Sequence, residues 1–157
     1  MLINDNARRL LAINGIVPLN EGNWSHQDSV DFFHYSMVGF PAQAMILDHP
    51  EYASVEPFYI SLEQLDTAPP ALRHHTVPMF YARIPNPPPG LDIAGMSGCL
   101  IFGFAHESQG GASYYFIAIQ SAWLPDSKII CACRMPFLGG LLRAAMDSVA
   151  TGEGAAP

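Results

Sequence analysis

Charge is the scarcest property of this chain. Asp, Glu, Lys and Arg supply 13% of its 157 residues, about half of what soluble proteins usually carry. Seven of these side chains are basic and 14 acidic, for a net charge of −7 at pH 7. So few cations exclude an extended phosphate-backbone footprint, and nucleic acid is not an expected partner. Cysteine is scarce too. The three present, an odd number, do not make a disulfide framework. Cys131 and Cys133 stand two apart, on one face of any strand that holds them, and cannot easily bridge each other. With Cys99 they read as buried structural thiols.

Long apolar runs are missing as well. The charge-free stretch from Ser108 to Pro125 is broken by Ser, Gln and Gly-Gly and has a strand-like pattern. No membrane span is expected. The opening Met1-Leu-Ile-Asn-Asp-Asn6 lacks the basic and apolar regions of a signal peptide, and the expected location is the cytoplasm.

The motifs of familiar chemistry are also absent. There is no Gly-x-Ser-x-Gly elbow; Met96-Ser97-Gly98 is too short a signal and precedes a strand. Gly139-Gly140 opens a helix but lacks the lysine of a phosphate loop and the third glycine of a dinucleotide fingerprint. No His-x-x-x-His and no pair of Cys-x-x-Cys occurs, so neither a metal nor a cofactor is expected. Six histidines remain as groups that titrate near neutral pH. If the loops carrying His74-His75 and His106-Glu107 met, these four residues, with Cys131, could ligate zinc or form an acid–base pair. A small hydrolase or metal-dependent enzyme built on His74, His75, His106 and Glu107 is therefore one alternative, against the simpler reading of histidines in turns. Cys99 or Cys131 with a loop histidine could make a nucleophile pair, but burial among Ile and Leu disfavours the thiolate. Asp28, Asp31 and His34, three apart, read as a solvated polar face.

What the chain does have is apolar mass. Hydrophobic residues make up 50% of it, and its length suffices for one buried core without staples. The clearest organisation runs from Cys99 to Met135 as three strands, Cys99–Ala105, Ser113–Trp123 and Lys128–Met135, joined by turns at Gly110-Gly111 and Pro125-Asp126. Short connections make them antiparallel neighbours. In the middle strand Tyr115, Ile117 and Ile119 face one way, and Tyr114, Phe116 and Ala118 the other. In the third, Ile129, Cys131, Cys133 and Met135 form an apolar face, while Lys128, Ile130, Ala132 and Arg134 form a mixed face expected to be partly wet.

Helical spacing predicts a first helix over Asp5–Asn14, capped by Asn4 or Asp5 and ended by Gly15 and Pro18. Ser25-His26-Gln27-Asp28 resembles a capping box, which predicts a second helix to about Val38; a strand over Asp31–Val38 is the alternative. Ala44–Leu47 and Phe58–Ile60 are short apolar runs, and Ser61–Asp66 reads as one helical turn. A strand over Thr76–Ile84 has Pro78 at an edge or as its opening residue. Pro85-Asn-Pro-Pro-Pro89 reads as a stiff surface crossover, or as a recognition segment through Pro87 and Pro88. A closing helix spans Phe137–Ala150, with Leu138, Leu141, Leu142, Ala145 and Val149 as its stripe.

These elements predict an α+β fold: an antiparallel sheet of about four to six strands with N- and C-terminal helices packed on it. One domain over residues 1–150 would be followed by a flexible tail over 151–157. The order of terminal helix, meander, Arg-Met-Pro and closing amphipathic helix is loosely similar to small acidic secretion chaperones, over the last third of the chain and with the Pro-rich segment where those carry a middle helix. The leading expectation is a non-enzymatic protein-binding module, an adaptor, chaperone, inhibitor or immunity-type protein. It would act through a low-charge apolar surface or sheet edge around Tyr114, Trp123 and Ile130, on a protein partner or a second copy. A small-ligand binding domain is a further alternative.

Overall fold

The computed structural model describes residues 9, 13, 19–25, 27–40, 45–49, 52–55, 57–72, 75–87, 92–93 and 95–151, with the backbone alone of 45–49, 52–55, 71 and 151. Eight strands occur among the described residues: β1 (His34–Gly39), β2 (Met45–His49), β3 (Tyr52–Val55), β4 (Phe58–Gln64), β5 (Met79–Arg83), β6 (Leu100–His106), β7 (Ala112–Leu124) and β8 (Ile129–Arg134). A helix, α1 (Met135–Thr151), follows directly. Strands β2 and β3 form a separate ribbon. The other six close into an antiparallel barrel in the order β1-β4-β5-β8-β7-β6.

Closure corrects the expected α+β architecture. The protein is mostly sheet, and the one helix whose bounds are described lies at the C-terminal side. The N-terminal helix expected over Asp5–Asn14 falls outside the described residues, Arg9 and Ile13 excepted. The strand that closes the ring is β1, paired on one side with β4 through Met37↔Ile60 and on the other with β6 through Met37↔Ile101. Its sequence had favoured a helix to Val38. The strand alternative holds from His34, because two neighbours satisfy its backbone groups and alternation turns Met37 into the core. Ser61–Asp66 is likewise no helical turn: Ser61 to Gln64 continue β4.

The barrel is filled, not hollow, along most of its length. Met37, Ile60, Leu62, Phe80, Ala82, Ile84, Ile101, Ile117, Ala118, Ile130 and Ala132 make one buried cluster, which Ile93 and Met96 join from the segment before β6. Each large side chain so buried contributes roughly 1.5–3 kcal/mol relative to exposure. The mixed face expected on the third strand is this interior: Ile130 and Ala132 are fully buried. Cys131 on the opposite face is buried as well, so β8 is covered on both sides around it.

Strict alternation fails in β7, and the register says why. Ile101 pairs with Ala118 but Phe102 with Phe116, and a second shift falls between Gln120 and Ala122. Each bulge inserts a residue and re-aims those after it. Ile117 and Ala118 are consequently both buried, and Trp123 packs against the core while Ile119 is only partly covered.

Candidate functional site

Strand parity brings a set of polar side chains to one end of the barrel. Tyr35 of β1, Gln64 of β4 and Arg134 of β8 continue the inward rows that Met37, Leu62 and Ala132 begin. They surround a cavity of about 230 Å³, walled by Phe32, Phe80 and Ile117 and flanked by Gln27 and Asp28. The segment that leads into β1 reaches across this end. It starts with a short 3-10 turn at Gln27–Ser29, and the Gln27 amide pins it by donating to the Phe116 carbonyl. Gln27 Oε1 is buried and meets no donor among the described residues.

Arg134 is the cation of this end. Its Nε donates to the Met79 carbonyl at 3.4 Å, and its Nη1 lies 3.4 Å from Asp28 Oδ1. The Asp28 side chain is 94% exposed, so water screens this single-nitrogen pair to about 0–1 kcal/mol. Tyr35 stacks obliquely against Phe32 and Phe80, with ring centroids 5.5 and 5.3 Å away. Burial pushes the Tyr35 phenol above its ordinary range; Arg134 opposes that rise and Asp31 adds to it. At neutral pH the phenol is therefore a hydrogen-bond donor.

A second feature lies on the outside of the barrel, along α1. Its first turns pack down: Met135 and Gly139 are buried, and the Trp24 ring lies flush on Gly139. A 2.6 Å ion pair from Arg143 to Glu21 ties the helix to the same segment. Beyond it the apolar stripe is uncovered. Leu141, Leu142 and Met146 are more than half exposed and Val149 is 76% exposed. Trp24, Met135, Leu142 and Met146 line a groove of about 430 Å³ beside the helix.

The histidine cluster considered from sequence does not assemble. His75 precedes β5 and lies with Nε2 3.7 Å from Cys131 Sγ. His106 ends β6 and stacks on Phe33 at 4.2 Å, on a strand whose neighbours are β1 and β7. Glu107 is exposed in the loop after it, and His74 lies outside the described residues. No group of three or more His, Cys, Asp or Glu stands within metal-binding reach among the described residues. Burial, the largest influence, pushes the Cys131 thiol up; a hydrogen bond from Ser121 opposes it and Cys133 reinforces it. The contact with His75 thus pairs an imidazole with a neutral thiol.

The residues expected to bind a partner are scattered. Tyr114 is exposed on the outer wall beside Phe102. Trp123 packs against the core, with Lys128 Nζ 5.9 Å above its ring. Ile130 is fully buried in the barrel, which removes it from any surface. Pro87 is partly covered where the chain leaves β5, and Pro88 is outside the described residues. Sequence reasoning passed over Tyr35, Gln64 and Gln27. For Arg134 a signal existed, since it shares parity with Ile130 and Ala132, but that face read as wet.

These features define a closed antiparallel barrel with a polar mouth and an outlying amphipathic helix. No family model, curated protein or solved structure matches the chain. Among the described residues no helix is long and apolar enough to cross a membrane.

Proposed function

We propose that the protein is a non-enzymatic protein-binding module, of the adaptor, chaperone, inhibitor or immunity type, that receives an amphipathic helix of a basic partner along α1. The observation that carries this reading is the uncovered row Leu141, Leu142, Met146 and Val149 beside the Trp24 groove. A helix laid into such a groove reads as anchors at i, i+3, i+4 and i+7, and each large side chain it covers gains roughly 1.5–3 kcal/mol. The basic character of the partner follows from the net charge of −7, which attracts cations over long range and repels a second copy. Closure gives every barrel strand two neighbours, which confines the sheet-edge mode to the short-paired side of β4 and to the β2–β3 ribbon.

The test is titration with a synthetic helical peptide bearing Leu at i, i+3, i+4 and i+7 and Lys elsewhere, followed by Trp24 fluorescence. A saturable change, lost in Trp24→Phe, is expected. The Leu142→Glu variant separates apolar docking from mere charge attraction, because it makes the acceptor more acidic. Docking on α1 requires Leu142→Glu to bind at least tenfold more weakly. Tighter binding by that variant would reduce the effect to bulk electrostatics and remove the reading. A dimer in light scattering that Leu142→Glu dissolves would assign the face to a second copy instead.

A further inference from the structure

We propose that the open end of the β4–β5 seam takes up a single extended, uncharged segment of a partner protein, which pairs with the backbone of β4. This site differs from the α1 face in place and in chemistry, and neither depends on the other. β4 and β5 pair only through Glu63↔Arg83 and Gln64↔Ala82, and Leu65 N–H donates to the Tyr81 carbonyl at 2.9 Å. In an antiparallel ladder alternate residues address the same neighbour. Ser61 and Tyr59 therefore turn their N–H and C=O groups the same way as Leu65. Neither meets a backbone partner on that side among the described residues. The position opposite Ser61 falls to Pro85, which has no N–H to give, and Ile84 N–H is committed to the Lys128 carbonyl.

A groove of about 310 Å³ opens at this place. Phe58, Tyr59, Pro85 and Asn86 are its exposed walls, and the buried Ile60 and Ile84 its floor. Two donors and two acceptors, at residues about 6.5 Å apart along a strand, match a chain in β conformation. The far wall decides which chain. Ile84 to Asn86 close the groove on the side away from β4, so a strand that enters must come without a neighbour in its own sheet. Every described strand of a second copy brings such a neighbour with it, whereas an unaccompanied segment does not. No lining residue is charged, and at the closed end Glu63 and Arg83 stand opposite each other with opposite signs. An uncharged segment suits such a site. Tyr59, 70% exposed, favours β-branched side chains across from it.

The probe is acetyl-Thr-Val-Thr-Val-Thr-amide, titrated into the whole protein and followed by amide NMR and hydrogen exchange. A dissociation constant of about 0.1–1 mM is expected for so short a ladder. At saturation the Tyr59 and Ser61 amides should exchange at least tenfold more slowly, while those of Ile60 and Leu62, on the β1 side, should not change. An analogue with ester oxygens in place of its backbone N–H groups keeps the side chains and should bind at least tenfold more weakly. Lys in place of each Thr should change the affinity by less than about threefold at 0.15 M salt. Ser61→Pro removes a seam donor but no bond to β1, and should also weaken binding about tenfold. Because that variant alters β4 itself, the ester analogue on the unaltered protein is the decisive comparison. Equal binding of peptide and ester, no added protection at Tyr59 and Ser61, tenfold tighter binding of the Lys peptide, or no saturation up to about 10 mM would each overturn the assignment. A dimer in light scattering that Ser61→Pro dissolves would give the seam to a second copy instead.

Discussion

Cys131 carries its environment in its acidity. It is fully buried in β8, and burial holds its thiol above the usual value, as it holds the Tyr35 phenol above its own. For both groups the folded state favours the protonated form. Above the unfolded thiol value, about 8.5, the unfolded chain therefore binds fewer protons than the folded one, and stability falls as pH rises. The contribution is complete below that pH and lost on approach to the folded value. Urea unfolding at pH 7.5 and pH 10 should show the decline, and Cys131→Ala should make it shallower, leaving the part owed to the phenols of Tyr35 and Tyr81, the second also raised chiefly by burial. An identical pH slope in that variant would mean that the thiol ionises as freely in the fold as in the unfolded chain. The same burial answers the nucleophile question raised by sequence: proximity to His75 is present, yet the thiolate is disfavoured.

Within α1 two adjacent glycines test opposite sides of one argument. Gly139 lies under Trp24, where a Cβ would run into Cζ3 and Cη2 of the indole and stand 3.0 Å from Cε3. A Cβ on Gly140 would meet nothing within 4 Å. Replacing an exposed helical Gly by Ala stabilises by roughly 0.8–1 kcal/mol, so Gly140→Ala should raise stability by about that much. Gly139→Ala has the same helical gain but must push out the ring, at about 1–3 kcal/mol. It should destabilise on balance and shift Trp24 emission to the red. Two equal stabilisations would show that Trp24 does not rest on the helix. This element, like β6, β7 and β8, was legible in the sequence because local signals sufficed: a 3.6-residue stripe, or alternating aromatic and β-branched residues between turns. β1 and β4 were not. Met37 and Val38 fit a helical face as well as a strand, and only pairing with distant Ile101 and Ile60 decides between them. The bulges in β7 leave no mark in composition, so Ile119 was placed on the wrong side.

At the scale of the whole molecule the barrel is closed but unevenly sewn. β1 pairs with β4 from Tyr35↔Leu62 to Gly39↔Phe58, and β6 with β7 along all of β6. β4 and β5 share only Glu63↔Arg83 and Gln64↔Ala82, plus the bond from Leu65 N–H to the Tyr81 carbonyl at 2.9 Å. The cause was readable in the chain. Extending that register by two residues sets Pro85 opposite Ser61, and proline offers no donor and leads the chain away into Pro85-Asn-Pro87. Alternate residues of a strand address the same neighbour. Since Leu65 faces β5, Ser61 and Tyr59 face it too, on the side where the seam has ended, while Ile60 and Leu62 face β1. Tyr59, 70% exposed, lies on that stretch. Sub-global opening follows the least-paired boundary, so this seam should part first. Native-state hydrogen exchange should find the Tyr59 and Ser61 amides among the fastest in the barrel and the Ile60 and Leu62 amides slower by orders of magnitude. Equal protection of Ser61 and Ile60 would mean that the seam is covered along its full length, and that β4 is as firmly held on the β5 side as on the β1 side.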